Sequence, residues 1–498
     1  MSINKLSSPV RILLGIVLSA LGGLAFVLAF PPFEIWPLAL LGLVPVLIAQ
    51  YRILPPKISS LASALGIAVW LQGYLGPVFA PVGTYMRWLP LAAFGLNLLV
   101  DSKSRSFHNK TGYRWFIFNG IASWSGFEMI RLFLPIAGTW AFIAYPFYRQ
   151  IWLIQPVSIF GIIGMGMVVM LVNYLLALIM MDWMDKRWAL AEDAVQINPR
   201  LLGRWKLAGG LIAVLWIGIS LVLLNLPLET GTVKVAAIQP KISTIINANM
   251  GNDELVEQTL ERMKAQTIEA NAQFSVWPEG AFMWDPQVDD KLDLRGLTAE
   301  TGSYLATGYI VVLDEGFRNE ATVISPSGEF LGVFGKDHPV VFGGETSVSR
   351  GTYPVYDTPL GKIGTIICYD LDYTDTARKL ARQGVQLIGV PSNDWGSIAE
   401  NHFTHVVFRA VENRVAMVKA DGSFDSAIID PYGRILALAA YPQGGEATLT
   451  ADVQLGNGKG TITTLLGDWT GWLSLAGLIF FSVASKWLIK KAEMPGNV

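Results

Sequence analysis

The chain has 498 residues, of which 52% are hydrophobic and only 15% charged, with 17 tryptophans and a formal net charge of -2; its mean hydropathy is +0.43. That composition excludes a disordered chain and an ordinary water-soluble globule, and it belongs to an integral membrane protein. The near-neutral balance, with no basic stripe, leaves no electrostatic footprint for nucleic acid.

A helix needs roughly 20 apolar residues to cross about 30 Å of hydrocarbon. Seven candidate spans precede residue 230, at 11–30, 35–50, 59–80, 85–100, 115–134, 151–181 and 207–226, and an eighth lies at 469–489. The second and fourth are short. Lysine and arginine accumulate on the cytoplasmic side of a membrane, and here every second loop is basic. Lys5 and Arg11 precede the first span, Arg52 and Lys57 follow the second, and Lys103, Arg105, Lys110 and Arg114 follow the fourth. Lys186, Arg187, Arg200, Arg204 and Lys206 follow the sixth, and Lys490 and Lys491 the eighth, while the intervening loops offer little beyond Arg87 and Arg149. Both termini are therefore expected in the cytoplasm, with residues 231–466 on the other side. The first apolar stretch exceeds the roughly 7 to 15 residues of a cleavable signal core, so it reads as a retained anchor. Gly161, Gly164 and Gly166 fall inside the sixth span, where close helix packing is a better reading than a phosphate loop.

From Gly231 the pattern changes to short strands alternating with amphipathic helices. Strands are predicted at 233–238, 274–277, 306–313, 321–325, 363–368, 385–390, 416–419, 426–429 and 447–451. Helices are predicted from Asn252, a potential N-cap, to about 272, and at 374–382 and 401–414. Near-continuous apolar strands such as 385–390 indicate a sheet covered on both faces. About 230 residues suffice for one sizeable α/β domain. Asp430-Pro431-Tyr432-Gly433 reads as a turn between late strands. Three parts follow: a seven-span bundle at 1–230, an α/β domain at 231–466, and an eighth span with its tail at 467–498.

Cys368 is the only cysteine. It cannot form an intrachain disulfide, and it stands where an apolar strand runs into Tyr369-Asp370-Leu371-Asp372. Taken alone, it reads best as a small buried hydrophobe. Other strand ends alter the weighing. Glu279 follows a strand in Trp277-Pro278-Glu279-Gly280, Lys336 lies in Gly335-Lys336-Asp337-His338, and Glu345 ends Phe342-Gly343-Gly344-Glu345. In a parallel-type sheet such ends gather on one edge, where a thiol could meet a base and a cation. His402 and His405 are three apart on a predicted helix, with no third ligand at matching spacing, so no metal is expected.

Three strings, Trp277-Pro278-Glu279, Gly335-Lys336-Asp337-His338 and Ile367-Cys368-Tyr369-Asp370, resemble in order and spacing the Glu-Lys-Cys triad of the nitrilase superfamily. Pro391-Ser392-Asn393-Asp394-Trp395 and Ile429-Asp430-Pro431-Tyr432-Gly433-Arg434 extend the likeness. In the apolar half, Phe127-Glu128-Met129-Ile130-Arg131 and Leu171-Val172-Asn173-Tyr174-Leu175-Leu176 are similar to segments of the apolipoprotein N-acyltransferase family. Seven spans, a nitrilase-like domain and one more span are that family's layout. Three departures stand out. Val341-Phe342-Gly343-Gly344-Glu345 displaces the usual glutamate by one position, Asp370 replaces a typical glutamate, and Asn393-Asp394-Trp395-Gly396 is shorter than the family string.

The resemblance implies an α-helical transmembrane bundle carrying an αββα sandwich in a bacterial inner membrane, as a monomer without cofactor. It further implies a phospholipid acyl donor and a diacylated apolipoprotein acceptor. Glu279 would be the base, Lys336 the oxyanion partner and Cys368 the nucleophile, with Glu345, Tyr369, Asp370, Trp277, Trp284 and Trp395 supporting or binding substrate. Phe282, Met283, Trp284, Trp395 and Phe403 are equally readable as apolar lips for acyl chains or as core. Rival readings are a membrane-tethered amidase, a Cys-His enzyme using His338, His402 or His405, and a transporter or receptor. Scarce charges inside the spans, with Glu128 and Arg131 the main exception, weigh against the last.

Overall fold

The computed structural model describes residues 7–81, 88–135, 138–188, 193, 195–228, 230–348 and 351–494. Lys5, Arg87 and the start of the fourth predicted span at Tyr85 lie outside the described residues. A helix stands at every predicted span. Among the described residues, six stretches are long and apolar enough to cross a membrane: Ser8–Ala29, Trp36–Ile53, Pro56–Phe79, Val157–Arg187, Pro199–Leu224 and Trp469–Ala492. The fourth and fifth candidates correspond to shorter helices, Leu89–Val100 and Phe116–Arg131. With Pro37 and Pro45 in its sequence, the second span is a succession of short helical pieces.

The three glycines of the sixth span divide their work. A Cβ on Gly166 would meet Glu128 Oε2 at 2.9 Å, so this glycine does allow close packing. Gly161 instead breaks the helix, at φ 67° and ψ 173°. The N–H groups freed there are taken by the 403–463 region: Gly161 donates to Thr463 Oγ1 at 3.1 Å and Ile162 to Glu412 Oε1 at 3.0 Å. The break thus becomes a joint between the bundle and the α/β domain.

That domain holds twelve strands among the described residues: β1 (Thr232–Pro240), β2 (Phe274–Val276), β3 (Tyr304–Val312), β4 (Phe317–Ile324), β5 (Phe330–Gly335), β6 (Val355–Thr358), β7 (Gly361–Thr365), β8 (Leu387–Ser392), β9 (Ala416–Asp421), β10 (Asp425–Ile429), β11 (Ile435–Ala440) and β12 (Glu446–Gln454). They form two six-stranded sheets, ordered β12-β1-β2-β3-β4-β5 and β11-β10-β9-β8-β7-β6. β5, β6 and β11 have no counterpart among the predicted strands. All three are only partly buried along most of their length, unlike the fully buried β8. Both sheets are mixed rather than parallel: β1-β2-β3 and β7-β8-β9 pair parallel and the flanking strands antiparallel. Two reversals through β4 return β5 to the direction of β2, so both end on the same edge.

Inward side chains such as Val235, Phe274, Val276, Leu387 and Val418 fill the space between the sheets. Helices Asp253–Ala270 and Leu294–Thr301 cover the outer face of the first sheet. Helices Asp375–Ala381 and Phe403–Asn413 cover the second, and their apolar residues run without interruption into the bundle core. The result is an αββα sandwich seated on membrane helices by one of its two helical layers. At the seam, Trp395 Nε1 and Ser397 Oγ donate to the Val78 carbonyl at 2.7 and 2.9 Å. Near a helix end that carbonyl has no intrahelical donor to spare.

Candidate active site

Glu279 follows β2, and the backbone there lies flat against β3. A Cβ on Gly308 would come within 2.7 Å of the Glu279 Cα, so only glycine lets the two segments touch. Lys336 follows β5 and is 2% exposed; its Nζ lies 2.8 Å from Glu279 Oε1 and 2.8 Å from Glu345 Oε2. Asn319, from β4, donates to the same two carboxylates at 2.6 and 3.0 Å. Glu345 reaches the site despite its displacement. A short 3-10 turn, Val341–Gly343, and Gly344 at φ +84° absorb the extra residue, and the carboxylate accepts from Val340 N and Ser347 Oγ.

Cys368 opens a 3-10 turn, Cys368–Asp372, just beyond β7, in the left-handed region at φ +44°. A non-glycine residue there costs on the order of 1–3 kcal/mol and persists only where its surroundings hold it. Asp370 does the holding. Its carboxylate accepts from Ile367 N at 2.9 Å, Asp337 N at 3.1 Å and His338 N at 2.8 Å, tying the cysteine turn to the lysine loop. Burial pushes the Asp370 pKa up to about 7 against these donors and His338.

The thiol donates to Asp394 Oδ1 at 3.3 Å, which also accepts from Ser392 Oγ at 3.2 Å. Asp394 Oδ2 is 2.6 Å from His402 Nδ1 and 2.7 Å from Lys419 Nζ. His402 Nε2 lies 3.4 Å from Asp372 Oδ1, and Asp372 Oδ2 accepts from Trp140 Nε1 of the bundle at 2.8 Å. Charge then sorts the carboxylates. Burial lowers the Lys336 pKa, but Glu279, Glu345 and the nearby thiol carry it well above the lysine value. Burial, with Glu345 adding to it, raises Glu279 in spite of Lys336 and Asn319. Burial also acts on Glu345 and Asp394, yet Lys336 holds the first below its ordinary value, and His402 and Lys419 hold the second far below. Burial, then Glu279 and Asp394, push the Cys368 thiol well up, so the thiol is protonated at rest.

Residues 234–462 match the carbon-nitrogen hydrolase family, and residues 22–175 match the apolipoprotein N-acyltransferase N-terminal domain. The chain thus joins an apolipoprotein N-acyltransferase N-terminal domain to a carbon-nitrogen hydrolase domain. It is 27% identical to the apolipoprotein N-acyltransferase of Geobacter metallireducens over 93% of each chain. It is 24% identical to that of Thermotoga maritima, over 93% of this chain and 92% of the relative. The sandwich alone is similar to mouse omega-amidase NIT2, 26% identical over 45% of this chain and 89% of the relative. With its six long apolar helices it is a multi-pass membrane protein carrying a nitrilase-like domain.

Against this family frame, the sequence-predicted residues divide. Glu279, Lys336, Cys368 and Glu345 converge. Asp370 braces them, and Tyr369 lies beside Cys368, its ring 5.6 Å from Phe342. Trp395 adjoins Asp394 at the seam. Trp277 and Trp284 do not come to the thiol. Trp277 is buried behind the first sheet, bonded to Thr267 Oγ1 at 2.8 Å. Trp284 packs on Phe282, and Phe282 on Tyr309, in the same outer layer. Trp277, Phe282 and Trp284 pack with the helical cover of the first sheet, as core rather than lips.

Among the described residues no histidine bonds to Cys368. His338 stacks on Tyr373 and bonds Asp375. His405 pairs with Asp372 and stacks on Tyr145. His402 is not the ordinary helix residue the sequence suggested; it is a buried cation whose pKa two carboxylates, overcoming burial, raise to about 10. Cys368, Asp394 and His402 also lie close enough together to suggest metal ligation. The Asp394 carboxylate is taken up by the thiol, His402 and the Lys419 ammonium. Asn319, Asp394 and Lys419 were missed as site residues. The available signal was polarity in otherwise buried strands: a lysine inside Ala416-Met417-Val418-Lys419-Ala420 needs a buried partner.

A cavity of about 670 Å³ opens within the bundle, lined by residues that include Leu75, Phe79, Leu89, Arg131, Trp140 and Leu478. Phe79 is in edge contact with Trp140 and Phe342, and Phe342 with Tyr369. An unbroken line of rings thus runs from the cavity to the neighbour of Cys368.

Proposed function

We infer that this protein is an apolipoprotein N-acyltransferase that carries an acyl chain on Cys368. The observation that supports this most is the buried ammonium of Lys336 shared by two carboxylates beside a protonated thiol, on a domain seated over an apolar cavity. Glu279, its pKa raised, accepts the thiol proton; the sulfur attacks an ester carbonyl of a phospholipid. Lys336 and the backbone N–H after Cys368 stabilise the oxyanion, each such donor being worth about 10² to 10³ in rate. The proton passes to the departing lysophospholipid alkoxide, leaving a thioester. The α-amino group of a diacylglyceryl-cysteine at a lipoprotein N-terminus then takes the acyl chain. Both substrates are lipids that leave the bilayer at a cost of about 0.8 kcal/mol per buried CH₂, which accounts for a catalytic domain seated on membrane helices. The bundle cavity is suited to an acyl chain.

In this reading the protein is a monomer in a bacterial inner membrane, with its sandwich outside the cytoplasm and both termini inside, as the basic loops suggest. The test is the intact mass of purified protein exposed to phospholipid vesicles. An acyl-sized increase that maps to Cys368, vanishes with hydroxylamine and never forms on Cys368→Ala is expected. Unchanged mass, or a Cys368→Ala protein with full activity, refutes it. The likeness of the sandwich to an omega-amidase keeps a C–N hydrolase as the second reading. Equal yields of N-acylated lipopeptide and lysophospholipid separate the two, since a hydrolase releases free acid instead.

A further inference from the structure

The thiol's hydrogen-bond acceptor is left over once the thiol has reacted. In the resting site Asp394 Oδ1 accepts from Cys368 Sγ and Ser392 Oγ, while Oδ2 is bound by His402 and Lys419 and the peptide N–H donates to Asp421 Oδ2 at 2.7 Å. Four partners fix this carboxylate, and a fifth fixes its backbone. Its side chain is fully buried at rest, and it faces the thiol at 3.3 Å, so a nucleophile that gains access to the sulfur meets Asp394 Oδ1 beside it. Acylation replaces the S–H by an S–C bond and removes one of the two donors to Oδ1. An ionised oxygen is then left short of a proton donor at 3.3 Å from the sulfur, a deficit that costs about 1–3 kcal/mol or more for a buried charged group.

We propose that Asp394 Oδ1 is the recognition site for the acceptor's primary ammonium, engaged only in the acyl-enzyme, and that it selects an amine over water. An N–H···O bond of ordinary length, about 2.7–3.2 Å, anchored 3.3 Å from the sulfur, puts the nitrogen beside the thioester carbon. Attack from there requires an N···C approach of about 3–3.5 Å. A charge-assisted bond favours ammonium over neutral water. The atoms balance. Of the three ammonium protons, one goes to the Glu279 carboxylate, one to the departing Cys368 sulfur as the C–S bond breaks, and one stays on the new amide nitrogen. Glu279 then releases its proton to solvent. Asp394 does not take a proton at any stage, in keeping with the two cations that hold it ionised. Glu279 serves as base in both half-reactions, and Asp394 supplies the address of the second nucleophile. The proposal rests on the acyl-transfer reading above.

The experiment loads full-length protein from phospholipid vesicles and follows thioester decay by intact mass. One arm adds a synthetic diacylated lipopeptide with a free α-amine, the other hydroxylamine, which is uncharged at neutral pH. In Asp394→Asn, which keeps the side chain's shape but not its charge, decay with the lipopeptide is expected to slow about ten- to a hundredfold relative to decay with hydroxylamine. Equal slowing in both arms, or none, overturns the proposal. Should the variant fail to fold, the parent enzyme decides: a lipopeptide with hydroxyl in place of the α-amine should compete at least about tenfold more weakly than the amine binds, and equal competition overturns it. If the parent never forms a thioester, the acyl-transfer reading fails and this one falls with it; a thioester with unchanged partition refutes this one alone.

Discussion

The two flanks of Cys368 are built from the same parts and behave oppositely. On one side Lys336 serves two carboxylates, Glu279 and Glu345, of which one is raised and the other lowered. On the other side Lys419 also serves two, Asp394 and Asp425, and again one is lowered and the other, by burial and then by Asp394, raised. What differs is which member of the pair meets the thiol. The raised carboxylate, Glu279, faces it from the first flank, and the lowered one, Asp394, from the second. A second cation makes that difference, since His402 bonds Asp394 while, among the described residues, Lys336 is the one cation bonded to Glu279. A proton acceptor needs a pKa near working pH, so in the proposed mechanism the first flank supplies the base and the second the anchor, although the resting thiol's hydrogen bond points to the anchor.

The comparison breaks most visibly at Glu279. Glu279→Gln removes the base and keeps the bonds to Lys336 and Asn319 in kind, so thioester formation is expected to fall by about 10² to 10⁴ with little loss of folding. Retention of the rate would hand the base role to Asp394. Lys419→Met is the counterpart on the other flank. It leaves Asp394 and Asp425 buried with His402 as the remaining cation, and breaking such a pair costs about 3–5 kcal/mol. A clear drop in thermal midpoint by fluorescence in detergent is expected; an unchanged midpoint would mean that Lys419 is not what keeps Asp394 ionised.

Much of this was legible from the sequence, for reasons that differ by element. The long apolar runs and the covered strand at 385–390 carried the two halves, because burial on both faces leaves a continuous signature. Glu279, Lys336 and Cys368 were legible as polar residues at strand ends. The second flank was not. Asp394 and Lys419 meet through β8 and β9, His402 joins from a helix, and Asp372 bridges to Trp140, 232 residues away in sequence. Those pairings exist only once the sheet and the bundle are assembled, and periodicity records burial without saying which buried charges meet. Trp277 and Trp284 misled for the complementary reason: near Glu279 in sequence, both pack into the helical cover of the first sheet.

A smaller effect reports on His402. Its folded pKa, about 10, stands above the ordinary value of 6.5, so its contribution to stability is fully present below about pH 6.5 and is lost as pH rises through about 10. Asp394, Asp372 and His405 are the titratable groups that face it. The thermal midpoint should therefore decline between pH 7 and 10 in the parent and more shallowly in His402→Gln. Parallel slopes would place the titration elsewhere, and the anchor would lose its second cation.

The finest test separates the two flanks without removing a charge. Asn319 donates to Glu279 and Glu345 together, and no analogous neutral side chain spans Asp394 and Asp425 among the described residues. Its bond to Glu279 favours the ionised form and so lowers that pKa. Asn319→Ala should raise the pKa of Glu279 further, making a stronger base that is less often ionised. At neutral pH the two consequences oppose each other, and the loss in thioester formation should stay within about tenfold, the worth of one or two such hydrogen bonds at roughly 1 kcal/mol each. The acid limb of the pH–rate profile should move to higher pH. A profile that drops in height without moving would mean that Asn319 only positions the carboxylates, and that the elevation of Glu279 depends on burial and Glu345 alone.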